Sequence, residues 1–152
     1  NRDLGFAAED RRENLRRAAE VAKVMADAGL IVLASFISPF RAERQMVREI
    51  LGASFREVYV DASLATCEER DPKGLYKRAR AGQIPQFTGI SSPYEPPESP
   101  DVRLDTTAYS VDECARQMRD YLANGGVLRS ARGDHRVAGA VRTPARASIR
   151  IQ

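Results

Sequence analysis

Hydrophobic positions along the chain fall into helix-like and strand-like stretches that alternate. From Glu9 to Ala28 the apolar side chains of Leu15, Ala18, Ala19, Ala22 and Met25 recur at helical spacing, and Gly29 supplies the left-handed residue that ends a helix. This predicts one long amphipathic helix. Leu30 to Phe36 reads LIVLASF, a run without polar alternation that suits a strand buried on both faces, as in parallel sheets. A second helix is expected to start at Ser38, with Pro39 in its first turn, and to run through Met46, Val47, Ile50 and Leu51 to Gly52. A second strand follows from Phe55 to Val60 and ends in Asp61, after which Ser63 caps a short helix through Cys67 to Arg70. Further along, Val102 to Thr106 reads as a third strand. Ser110 to Glu113 is a capping box opening a helix that would bury Val111, Cys114, Ala115, Met118 and Leu122.

Strands separated by helices imply right-handed crossovers and an open parallel sheet, an α/β architecture of three layers. Ligands of such sheets bind beyond the carboxyl ends of the strands. That rule selects Ile37-Ser38, Asp61 and the loop from Thr106 to Tyr109.

Between the second and third strands lies Asp71 to Asp101, which holds six of the eight prolines together with Lys73, Lys77, Arg78, Arg80, Tyr76, Phe87 and Tyr94. So many prolines exclude a single helix or strand across this stretch. Its aromatics argue against a disordered linker. A lid over an anionic ligand fits better, the rings covering a base and the cations neutralising phosphate.

At 152 residues and 43% apolar, the chain has room for one domain with a real core. No run approaches the roughly 20 apolar residues of a membrane span, and no basic start precedes an apolar centre as in a signal peptide. A cytoplasmic chain is expected, with Cys67 and Cys114 as reduced thiols that lack metal-ligand spacing. His135 is the single histidine, which excludes a mechanism needing two. The net charge of +3 is unevenly spread: residues 129–152 hold six arginines, no lysine and one acid, leaving residues 1–128 at −2. Residues 127–152 therefore read as a basic, disordered tail after a domain over residues 1–126. An arginine-rich arm for nucleic acid is the alternative, but the tail lacks interleaved aromatics and nucleic acid is not expected as a partner.

Several segments in unbroken order carry a more specific signal. Asn1-Arg-Asp-Leu-Gly-Phe6, Asp10-Arg-Arg-Glu-Asn14-Leu-Arg-Arg17, Phe36-Ile-Ser-Pro-Phe-Arg41, Arg70-Asp-Pro-Lys-Gly-Leu-Tyr76, Ala79-Arg-Ala-Gly82 and Phe87-Thr-Gly-Ile90 resemble the successive motifs of adenylylsulfate kinase (APS kinase) over roughly residues 1 to 123. The resemblance implies a P-loop kinase that uses MgATP to phosphorylate the ribose 3′-hydroxyl of adenosine 5′-phosphosulfate (APS), giving PAPS in sulfate assimilation. It also implies a homodimer, or a fusion or complex with sulfate adenylyltransferase.

What the resemblance implies for single residues can be set beside what each could do without it. Phe6 and Phe87 would sandwich the adenine of APS, where stacking on a base contributes about 1–3 kcal/mol, although a lone Phe is more often core. Arg11 and Asn14, three apart near a helix start, would reach the phosphosulfate or ribose; on their own they read as helix surface beside the Glu13–Arg17 and Arg16–Glu20 pairs. Ile37 and Ser38 would meet the substrate, and Lys73 its anionic groups. In the family the serine matching Ser38 is also assigned as a phosphoserine intermediate, yet in-line transfer needs no covalent step, and Ser-Pro at a helix start is a good cap. Asp61 could approach Mg²⁺ or cap the next helix. Arg70, Thr106 and Tyr109 would border the adenine of ATP. No protein metal ligand is assigned.

Members of that family carry a phosphate loop and its flanking strands and helix ahead of the position of Asn1, and the missing first strand is the sheet's centre by the same resemblance. No G-x-x-x-x-G-K-[ST] occurs in the 152 residues, so the expected activity of this chain alone is doubtful. An inactive fragment that binds sulfonucleotide or pairs with a kinase subunit is the alternative reading.

Overall fold

In a computed structural model the chain is described over residues 1–5, 7–125, 127 and 148–151. Ala8–Asp27 forms α1, Leu33–Phe36 β1, Arg41–Leu51 α2, Glu57–Asp61 β2, Leu64–Arg70 α3, Leu75–Arg80 α4, Val102–Asp105 β3, Val111–Asn124 α5 and Ser148–Ile151 β4. The strands form one parallel sheet in the order β1-β4-β2-β3. Alternating helices and strands thus give the parallel α/β architecture that the hydrophobic pattern predicts.

The helices pack through small side chains. Along α1, Leu15, Ala19, Ala22 and Ala26 are buried at spacings of three, four and seven, the stripe of one helical face. They meet Val47, Leu51 and Phe55 in one apolar cluster, edged by Val32, Ala34, Phe36, Met46 and Ile50. Ala19 is 0% exposed, so a larger side chain there would overpack the contact at about 1–3 kcal/mol. A second cluster joins Val58, Leu104 and Cys114, with Val60, Val102 and Met118 against it. Ser110 caps α5 as predicted, accepting from the Glu113 amide while the Glu113 carboxylate accepts from the Ser110 amide.

Several expectations require correction. The first strand covers four residues, and its faces differ: Leu33 and Ser35 are exposed while Ala34 and Phe36 are half-buried. An edge strand covered on one face alternates in burial even where its sequence does not. The second helix starts at Arg41 and Phe40 is its N-cap residue, so Ser38 and Pro39 lie before it. Within α5, Val111 and Ala115 are exposed, because the capping box fixes a start that turns them outward. The lid contains the short helix α4, which begins after Gly74 at φ +64°.

Most of residues 127–152, expected as a disordered tail, lie outside the described residues; within that stretch Ser148–Ile151 pairs with β1 through Leu33 to Phe36 and with β2 through Glu57 to Tyr59. Among the described residues both flanking strands otherwise lack a backbone partner on those edges, and pairing satisfies their N–H and C=O groups.

Candidate functional site

Polar residues gather at the carboxyl end of β1 and at the joint carboxyl ends of β2 and β3, while a third cluster, around Glu57 and Asp101, lies at the amino ends of β2 and β3. At the end of β1, Ser38 adopts φ +38°, a left-handed conformation costly for a residue with a Cβ. It is 6% exposed, and its hydroxyl Oγ is buried with no hydrogen-bond partner among the described residues. A capping serine would have its oxygen on an amide, so Ser38 is no cap. Arg44 lies beneath it, donating from Nη1 to the Ser38 carbonyl at 2.7 Å and from Nη2 to the Glu95 carbonyl at 2.6 Å.

The same guanidinium places Nε 2.9 Å from Glu57 Oε1, an ion pair almost wholly removed from solvent. Arg48 reaches the other carboxylate oxygen of Glu57 at 3.1 Å, and Asp101 Oδ2 accepts from the Glu57 amide at 2.8 Å. Removing one partner of such a buried pair costs about 3–5 kcal/mol. The lid is thereby fastened at two points, Glu95 and Asp101. At the first of these the Glu95 amide donates to the Pro39 carbonyl at 2.8 Å and its carboxylate accepts from the Arg41 amide at 2.7 Å.

At the ends of β2 and β3, Arg70 donates to Thr106 Oγ1 at 3.0 Å and to the Thr106 carbonyl at 2.6 Å. Thr106 in turn donates from its amide and its hydroxyl to the Asp61 carbonyl, each at 3.0 Å. Tyr109, three residues on, is half-exposed. The carboxylate of Asp61 is held by Arg103 at 2.8 Å, and the helix cap expected of it is supplied by Ser63. Asp105 accepts from the Thr107 and Ala108 amides, which hold its carboxyl below the usual range and shape the loop before Tyr109.

The lid's central part is built on Asp71, whose carboxylate accepts from the Tyr76 and Lys77 amides at 3.1 and 3.0 Å. Phe87 meets Tyr76 edge to face, ring centroids 5.0 Å apart, and is half-buried. Lys73 is exposed beside this pair in sequence. On α1, Arg11 and Asn14 sit in the first two turns, half-buried, with Asn14 bonded to Asn1. Burial pushes the Glu43 carboxyl of α2 upward, opposed by a hydrogen bond with the Phe40 backbone and by the positive charges of Arg11, Arg44 and Arg12. Ile37 is exposed next to Ser38, and Phe6 lies outside the described residues.

The expected residues thus gather as Ser38 with Ile37, as Arg70 with Thr106, and as Phe87 within the lid. Sequence reasoning missed Arg44, Glu57 and Glu95. An arginine and a glutamate read as solvated surface in a one-dimensional pattern; the only available signal was that Arg44 falls on the same helical face as Val47 and Leu51.

Comparison with known proteins decides the family. The adenylylsulphate kinase family profile matches residues 1–105. The chain belongs to the adenylylsulfate kinase family. A curated adenylyl-sulfate kinase of Acaryochloris marina is 56% identical over 128 residues, covering 84% of this chain and 62% of the relative. The bifunctional enzyme NodQ of Rhizobium tropici is 59% identical over 123 residues, 80% of this chain and 20% of that protein. The solved APS kinase of Mycobacterium tuberculosis in complex with AMPPNP and APS is 45% identical with a TM-score of 0.73, covering 81% of this chain and 72% of that one. The chain therefore spans less than two thirds of the length of the first curated relative.

Proposed function

We propose that this chain supplies the APS side of an adenylylsulfate kinase, together with one border of the ATP site. The reaction is ATP-dependent phosphorylation of the 3′-hydroxyl of adenosine 5′-phosphosulfate to give PAPS. The observation that carries the reading is Ser38: within a chain of this family, a buried hydroxyl without a partner stands on strained backbone at the carboxyl end of a parallel strand. The M. tuberculosis relative, solved with AMPPNP and APS, supports the two ligands.

In this reading the Ser38 hydroxyl and Ile37 face the sulfonucleotide, Arg11, Asn14 and Lys73 bind its anionic and ribose groups, and Phe6 and Phe87 enclose its base. Ser38 is assigned to binding, because a nucleophilic serine needs a base in hydrogen-bond reach and its Oγ has none among the described residues. Arg70 with Thr106 and Tyr109 borders the ATP adenine. Mg²⁺, when bound, would supply positive charge that neutralises the phosphates during transfer. Among the described residues no cluster of three His, Cys, Asp or Glu side chains could hold a cation, and Asp61 is committed to Arg103, so no step is assigned through the ion.

A cytoplasmic setting, and either a homodimer or a fusion or complex with sulfate adenylyltransferase, complete the proposal. The NodQ relative, a bifunctional enzyme of which this chain covers 20%, supports fusion to a further enzyme domain. Among the described residues no helix is long and apolar enough to cross a membrane. The test is PAPS formation from ATP and APS by the chain joined, ahead of Asn1, to a G-x-x-x-x-G-K-[ST] phosphate-loop segment. Product is expected there and not from the 152 residues alone, since the loop supplies the main electrostatic stabilisation of transfer. A joined chain that binds ATP and forms no PAPS contradicts the reading.

A further inference from the structure

Arg44 is 3% exposed and makes contacts in three directions. Its fork ends on the carbonyls of Ser38 and Glu95, and its Nε faces Glu57. A buried arginine–glutamate pair contributes little net stability compared with an apolar pair of the same volume. What an apolar side chain could not do is hold two backbone carbonyls from distant parts of the chain. One of those carbonyls belongs to the residue in the left-handed conformation, whose strain must be offset by its surroundings. The other belongs to the lid, whose Glu95 amide bonds back to Pro39.

We propose that Arg44 is a positioning residue that holds Ser38 in its left-handed conformation and ties it to the lid at Glu95, so that one guanidinium sets both the aim of the Ser38 hydroxyl and the seating of the lid. The proposal rests on the reading of Ser38 as substrate-facing. Only a planar fork with separate donors fits this geometry. Lysine at the same place would keep the ion pair with Glu57 but could not span both carbonyls.

The test uses Arg44→Lys in the full 152-residue chain, alone and combined with Ser38→Ala. In the ligand-free protein, the Ser38 Cα and Cβ chemical shifts report its φ, and Arg44→Lys is expected to move them out of the left-handed range. In calorimetric titration with APS, Arg44→Lys is expected to weaken binding about fivefold in the parent and by clearly less once Ser38 is alanine. Ser38 shifts unchanged in the variant, or losses that simply add, overturn the proposal, because a merely structural arginine gives additive effects. A parent chain that does not bind APS rejects the substrate-facing half, and the carbon shifts still decide whether Arg44 positions Ser38. Should Arg44→Lys fail to fold, Arg44→Met with Glu57→Gln removes both charges of the pair and leaves Arg48 to Asp101, and the same two measurements apply.

Discussion

Tyr94 lies stacked on Tyr59, ring centroids 6.4 Å apart and planes 19° apart. The lid is thus seated on β2 by an aromatic contact, as it is held at the start of α2 by the polar bonds of Glu95. The phenol oxygen of Tyr94 is buried without a hydrogen-bond partner among the described residues, a desolvated group that gains nothing from being polar. Tyr94→Phe is therefore expected to be neutral or stabilising by up to about 1 kcal/mol. Tyr94→Ala, which loses the stacked ring, is expected to destabilise by about 2 kcal/mol or more. Denaturant unfolding of both variants distinguishes the contributions of ring and hydroxyl.

Alkaline stability follows from Tyr76. Burial, reinforced by the neighbouring Cys67, pushes its phenol from 10.0 up to about 12. Between those values the folded chain keeps a proton that the unfolded chain has lost. This contribution to stability is complete below about pH 10 and disappears as pH rises toward 12. Tyr76→Phe should remove that part of the alkaline decline, measured as melting temperature against pH.

The Arg70–Thr106 bonds place a cation at the proposed ATP border. Arg70→Met should weaken ATP binding by about 1.5–3 kcal/mol, the range for hydrogen bonds to a charged group, and leave APS binding nearly unchanged. Titration of each nucleotide separately checks this; an equal loss for both would show that Arg70 shapes the whole site instead.

The position of β4 inside the sheet predicts a cost for breaking it. Proline lacks the N–H that a strand paired on both edges must donate, so Ile149→Pro should destabilise the chain by about 3 kcal/mol. Amide exchange in Leu33–Phe36 and Glu57–Tyr59 should accelerate with it. Unchanged melting would mean that the sheet stands without β4.

Much of this fold was legible in the sequence, because apolar period and caps are local signals. The Ser63 cap, the Ser110–Glu113 box and the stripe through Leu15, Ala19 and Ala22 are each written within a few residues and appear in the structure, though the stripe continues to buried Ala26 and leaves the expected Met25 exposed. What was not legible depends on distant partners. Ser38 reads as a cap from its neighbours, but its conformation depends on Arg44 and on a lid more than fifty residues away in sequence. Leu33 reads as core from its run, but what covers a strand face is decided by the sheet. Ser148–Ile151 carries a short apolar alternation that no local rule separates from a solvated tail, and only the open edges of β1 and β2 give it a place.

The central claim is that the surface formed by Ser38 and the lid binds the sulfonucleotide. Isothermal titration of APS and ATP against the parent chain, Ser38→Ala and Phe87→Ala tests it directly. The account predicts that APS binds the parent and that Phe87→Ala weakens it by about 1–3 kcal/mol through lost stacking. Ser38→Ala should weaken it by about 1 kcal/mol through a lost hydrogen bond, with ATP affinity barely moved by either. Part of the Phe87 effect will also appear as lower stability, because the ring packs on Tyr76. No APS binding by the parent, or equal losses for APS and ATP in both variants, would contradict it.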